Sequence, residues 1–93
     1  MKEKSLKVLI KAVSKASPYY MDIHDLTDEE WAEIEGPDRQ LMDAVRHFDM
    51  EDNKDTREAV REAAKEYRAA WLSVRMKRKL PPPETKDEFS FKA

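Results

Sequence analysis

Between Asp52 and Lys79 the chain carries Val60, Ala64, Tyr67, Trp71 and Val74, apolar residues spaced alternately by four and three. That alternation lays one apolar seam along an α-helix and suits lengthwise packing on another helix. The following Leu80-Pro81-Pro82-Pro83 must stop the helix, because proline lacks the amide donor and its ring clashes with the turn before it. A helix from about residue 54 to 79 would span ~39 Å. In a chain of 93 residues, that length needs cover from helices folded back on it, from a second copy, or from both.

The rest of the chain supplies such helices. Leu6, Leu9, Ile10, Val13 and Ala16 predict a helix over residues 5–16, with Lys4, Lys7, Lys11 and Lys15 on its opposite face. Ser17-Pro18 ends it, and the loose alternation from Tyr19 to His24 reads as an extended connector or short strand. Thr27 and Glu30 then form a capping box, with Leu26 and Trp31 placed as its hydrophobic staple. Gly36-Pro37 interrupts, and Pro37 suits the first turn of a further helix reaching about Phe48. Trp31, Ile34, Leu41, Val45 and Phe48 nevertheless keep phase, which also fits one kinked helix. The short loop from Asp49 to Lys54 makes the last helix an antiparallel neighbour, with Asp55 and Glu58, or Asp52, as its caps.

The predicted fold is all-α: a small bundle of three to four helices, the C-terminal one long, followed by an extended proline-containing tail. Residues 1–80 are expected to form one helical domain and 81–93 an extended or flexible tail. Its core would draw on Leu9, Ile10 and Val13, then Trp31, Ile34, Leu41, Val45 and Phe48, then the seam of the last helix. A single glycine, Gly36, argues against strand-and-turn architectures.

Charged residues make up 41% of the chain, close to a disordered composition, but two Trp, three Tyr and three Phe supply a modest core. Stability is expected to be marginal, or supplied by self-association or a partner. With no cysteine, disulfide scaffolds, thiolate zinc sites and cysteine nucleophiles are excluded. No apolar run approaches the ~18 residues of a membrane span, and no signal-type segment follows Met1. A cytoplasmic protein without membrane contact is the expectation.

The net charge of -2 conceals three blocks. Met1 to Ser17 holds five lysines against Glu3, and Asp22 to Asp55 holds thirteen acids against Arg39, Arg46 and Lys54. Arg57 to Lys79 holds eight bases against Glu58, Glu62 and Glu66. Such blocks steer partners or pair internally on folding.

Several constellations invite a chemical reading. Asp49, Glu51, Asn53 and Asp55 resemble the first half of a calcium-binding EF-hand loop, but Lys54 stands at the glycine position and Val60 at the bidentate glutamate. The loop therefore reads as a helix-capping turn. His47 lies between Asp43 and Glu51, and His24 between Asp22 and Asp25, each without a second histidine or a matched nucleophile. No catalytic residue, metal, cofactor or small-molecule substrate is expected.

Binding surfaces are better represented. Asp28, Glu29 and Glu30 suit the dipole at a helix start, whereas Glu33, Glu35 and Asp38 are surplus acids that fit a basic partner. Leu72, Met76 and Leu80 form a second apolar line on the last helix. In the tail, Pro81, Pro82 and Pro83 precede Phe89 and Phe91 among acids, a pattern that docks in a groove or on a sheet edge. Lys7, Lys11 and Lys15, with Arg61, Lys65, Arg68 and Arg75, form basic helix faces able to contact phosphates. Interleaved Glu58, Glu62 and Glu66 also allow these bases to pair along the helix.

The expected function is a non-enzymatic adaptor or inhibitor that binds a larger host protein or complex, with a homodimer as a further arrangement. Size, charge and absence of cysteine resemble the style of phage and mobile-element accessory proteins. Two alternatives stand beside it: a nucleic-acid-binding accessory protein using the lysine and arginine faces, and an acidic DNA mimic.

Overall fold

The computed structural model describes residues 1–80. Three α-helices follow one another: α1 (Glu3–Ala16), α2 (Asp28–Met50) and α3 (Lys54–Lys77). Two 3₁₀ turns, Ser17–Tyr19 and Ile23–Asp25, join α1 to α2. Among the described residues there is no strand, so the fold is all-α and bundle-like. Pro81, Pro82, Pro83, Phe89 and Phe91 lie outside the described residues.

Local chemistry fixes the helix ends. The Thr27 hydroxyl accepts the Glu30 N–H at 3.2 Å, and the Glu30 carboxylate accepts the Thr27 N–H at 2.9 Å. This closed capping box starts α2. At the start of α3 the cap is Asn53, not Asp52 or Asp55: its side chain accepts the Thr56 N–H at 2.9 Å, and Thr56 Oγ1 accepts the Asn53 N–H at 3.0 Å. Threonine here does the work that a glutamate usually does in this motif. At the other end Lys79 turns left-handed (φ 60°). Its N–H reaches the Met76 carbonyl at 2.9 Å and the Leu80 N–H reaches the Arg75 carbonyl at 3.0 Å, a Schellman close.

Helix α2 runs unbroken through Gly36-Pro37, so the interruption expected there is absent. A residue before proline is normally kept from helical angles, partly by contact between its Cβ and the proline ring. Gly36 has no Cβ, which removes that contact with the Pro37 ring. Ile34, Leu41, Val45 and Phe48 consequently stay on one buried face. They meet Val60, Tyr67, Trp71 and Val74 of α3, and Leu41, Val45 and Val74 are at most 1% exposed. Lys77 pairs with Glu33 and Arg78 with Glu30, which sets α3 antiparallel to α2. Leu26 and Trp31 pack partly buried against this core.

Helix α1 departs from the expected phase. Its buried residues are Ser5, Ala12 and Ala16, with Val8 and Leu9 partly covered. Leu6, Ile10 and Val13 face outward, 48%, 55% and 37% exposed. Two anchors hold this rotation: the Lys2 N–H donates to Asp49 at 2.7 Å, and Lys4 pairs with Asp52. Small side chains on the turned-in face let α1 approach α2 and α3 closely, whereas the larger aliphatics would hold it away. On α3 a similar small shift buries Ala63 and leaves Ala64 half-buried.

The connector is not extended or strand-like. Its 3₁₀ turns place Tyr20 against the α3 aromatics, with its ring 5.0 Å from Trp71 and 6.1 Å from Tyr67 between centroids. The Tyr20 and Tyr67 hydroxyls are 2.9 Å apart. The Asp22 carboxylate accepts the His24 N–H at 3.0 Å, which tightens the second turn.

Candidate functional site: a cationic groove between α1 and α3

Asp52 accepts from Lys4 of α1 and, at 2.6 Å, from Arg57 of α3, so both helices start at the same end of the molecule. At their other end Tyr20, just beyond α1, touches Tyr67 and Trp71. The two helices therefore run parallel, and a groove opens between them. One stretch of it, about 400 Å³, is lined by Lys4, Val8, Lys11, Ala12 and Lys15 of α1 and by Arg57, Val60, Arg61 and Ala64 of α3, over Phe48 of α2. A second stretch of about 280 Å³ shares Ala12, Lys15, Arg61 and Ala64 and adds Glu62, Lys65 and Arg68. The shared residues make this one continuous trough.

Helix periodicity explains the composition. On α1, Lys4, Lys11 and Lys15 stand at steps of seven and four, beside Val8 and Ala12. On α3, Arg57, Arg61, Lys65 and Arg68 stand one turn apart, beside Val60 and Ala64. Each helix thus contributes one cationic row and one row of small or branched apolar residues. The result is an apolar floor between two cationic rims.

Charge balance differs along the trough. At the α1 and α3 N-termini, Asp52 serves both Lys4 and Arg57, and hydrogen bonds from Arg57 and then Lys4 pull its carboxyl from 3.8 to about 2. Lys4 also lies over the Phe48 ring, 5.8 Å from its centroid. Farther along, Lys11, Lys15, Arg61, Lys65 and Arg68 have no ion-pair partner among the described residues. None of the interleaved glutamates of α3 forms an ion pair with them among the described residues, and Glu62 shares the lining of the second stretch. The lining offers positive charge and apolar contact, which suits holding an anionic, partly apolar guest.

The other predicted site residues are scattered. Lys7 pairs with Glu3 at 3.6 Å on the outer side of α1, and Arg75 is half-buried and not part of the groove lining. Glu33 accepts from Lys77 at 2.8 Å, and Glu35 pairs with Arg39 at 3.2 Å. Leu72 is half-buried, whereas Met76 and Leu80 are exposed at the end of α3. Asp38 lines a separate cleft of about 340 Å³ with Tyr20, Trp31, Tyr67 and Trp71. There the Trp71 indole N–H is buried without a hydrogen-bond partner.

In the acidic loop the side chains serve the helices. Asp49 receives the Lys2 N–H, Asn53 caps α3 and donates to Glu51 at 2.8 Å, and Asp52 joins α1 to α3. Bonds from the Lys2 N–H first and the Ser5 hydroxyl second lower the Asp49 carboxyl below its ordinary range. Among the described residues, no three His, Asp or Glu side chains gather where a metal ion could be held. Neither is any described helix long and apolar enough to cross a membrane.

What sequence reasoning missed is the floor. It placed Ala64 in the core seam and read the α1 lysines as facing away from the bundle. The available signal was the row Ser5, Ala12 and Ala16, small residues at steps of seven and four parallel to the row Lys4, Lys11 and Lys15. No family model, curated protein or solved structure matches this chain.

Proposed function

We propose that this chain is a small non-enzymatic binding protein, an adaptor or inhibitor, that holds an anionic partner in the groove between α1 and α3. One observation carries the reading. Lys11, Lys15, Arg61, Lys65 and Arg68 come from two helices to one trough with no ion-pair partner among the described residues. Like charges gathered this way repel in the empty protein, and an anionic guest relieves that repulsion while the positive field speeds its approach.

The same cations support a second reading, contact with nucleic-acid phosphates, which predicts binding that weakens steeply with salt. An acidic DNA-mimic surface has less support, since Glu33 and Glu35 each pair with a base. Met76 and Leu80, exposed beyond the groove, would extend the contact area for a large partner.

The test is the charge-reversal pair Arg61→Glu with Lys65→Glu, assayed against polyglutamate and a single-stranded oligonucleotide by fluorescence anisotropy. The unmodified chain is expected to bind at least one, and reversal to weaken it by about tenfold or more. Equal retention by both proteins would remove the groove from the mechanism.

A further inference from the structure

We infer that the guest of this groove is an acidic amphipathic helix from a partner protein, with carboxylates one turn apart flanking an apolar stripe. This rests on the reading of the groove as an anion-binding surface and adds the chemistry and shape of what it binds.

The protein contains its own template for such a guest. Asp52 sits between Lys4 of α1 and Arg57 of α3 and takes a hydrogen bond from each. A carboxylate placed between the two helices is therefore already part of the fold. Farther along the trough, Lys11 and Lys15 of α1 and Arg61, Lys65 and Arg68 of α3 line it together, and no carboxylate among the described residues forms an ion pair with them. Arg61, Lys65 and Arg68 of α3 are four and then three residues apart, so their rise is about 6 and 4.5 Å per step. Carboxylates at one-turn spacing on a guest helix match that rise, each taking the place that Asp52 occupies at the end.

The floor selects against a purely ionic guest. The half-buried Val8 and Ala64 present apolar surface above the buried Ala12 and Val60, and covering it needs apolar side chains between the carboxylates. Ala12 and Ala64 belong to both stretches and form a waist where a guest backbone can come close. Nucleic acid fits less well. Stacking needs an open aromatic face, and Phe48, the aromatic residue of the lining, is only 5% exposed. From Lys4 to Lys15 the trough follows about 16 Å of helix, so the footprint is roughly three turns. A free peptide that short is marginally helical and orders on docking.

The full-length chain is titrated with four fluorescent probes: a helix-stapled peptide of about twelve residues carrying glutamates one turn apart beside leucines, a scrambled isomer of equal charge, a single-stranded oligonucleotide and a short duplex. The patterned peptide is expected to bind about tenfold or more tighter than its isomer, and Ala64→Gln, which fills the waist, to erase that advantage. Circular dichroism verifies that each variant folds. Equal binding of the two peptides would overturn the helix inference and leave the anionic-partner reading intact. So would tighter binding of either nucleic acid that Ala64→Gln leaves unchanged. If no probe binds until Asp87→Lys and Glu88→Lys are introduced, the chain's own tail is the occupant and the partner helix is excluded. If no probe binds in any variant, both readings fall.

Discussion

Arg78 Nε donates to Glu30 Oε2 at 2.6 Å, while Oε1 of the same carboxylate takes the Thr27 N–H at 2.9 Å. One side chain thus closes the cap of α2 and clamps the last turn of α3. Arg78 also donates to the Asp25 carbonyl at 2.6 Å, which ties down the connector. Three segments meet at one ion pair, far from the groove and at the opposite end from Asp52.

This arrangement has a pH signature. The bond from Arg78 first and the Thr27 N–H second pull the Glu30 carboxyl from 4.5 to about 2, and Asp52 moves from 3.8 to about 2. Both groups hold their protons more weakly folded than unfolded, so their stabilisation is complete above about pH 5 and fades as pH falls towards 2. Thermal melts should show a flat Tm from about pH 5 through neutral pH and a steep fall below it. Glu30→Gln should lower Tm at neutral pH and flatten the acid slope. An unchanged slope would mean that this pair is not formed in solution.

Lys79 occupies left-handed backbone angles in the cap that ends α3. A side chain there costs about 1 kcal/mol that glycine avoids. Lys79→Gly should therefore raise stability by about that amount, or Tm by roughly 4–8 °C. A fall in the urea midpoint would show that α3 ends differently.

Rotation of α1 separates two residues that periodicity places on one stripe. Ile10 is 55% exposed and Ala16 fully buried. Ile10→Ser should change unfolding free energy by no more than about 0.5 kcal/mol. Ala16→Leu should cost about 1–3 kcal/mol through overpacking. The reverse order in chemical denaturation would restore the sequence-derived phase.

Tyr20 supplies an alkaline counterpart. Burial first, and the Tyr67 hydroxyl next, push its phenol above the ordinary 10.0. The folded chain then holds this proton more tightly than the unfolded one, so its stabilisation is full below pH 10 and lost above it. Tyr20→Phe should cost about 1 kcal/mol at neutral pH through the lost hydroxyl bond and soften the alkaline decline. A decline of the same steepness in the variant would assign it to another group.

Much of this fold was legible from periodicity. The seam of α3 and the inner face of α2 are each large apolar residues at helical spacing, and such residues have few places to go but a common core. The Thr27–Glu30 box was legible because both partners lie within four residues. Three things were less so. The Gly36-Pro37 passage was legible only in part: the phase of Trp31, Ile34, Leu41, Val45 and Phe48 allowed one helix, while glycine and proline together read as a break. The phase of α1 was hidden because hydrophobicity ranks Leu6 and Ile10 above Ser5 and Ala12, whereas contact with an existing two-helix core favours small surfaces and the anchors at Asp49 and Asp52. The groove combines residues from both misjudged and well-judged helices, so its cationic rows were visible singly but their convergence was not.

Helix α1 buries Ser5, Ala12 and Ala16 and only partly covers Val8 and Leu9, so it contributes little apolar area to the core. The large buried side chains, Ile34, Leu41, Val45 and Phe48 with Val60, Tyr67, Trp71 and Val74, all belong to the α2–α3 hairpin. Most of the apolar burial that holds the fold together therefore lies between α2 and α3, and α1 is tied to them largely through the polar anchors at Asp49 and Asp52.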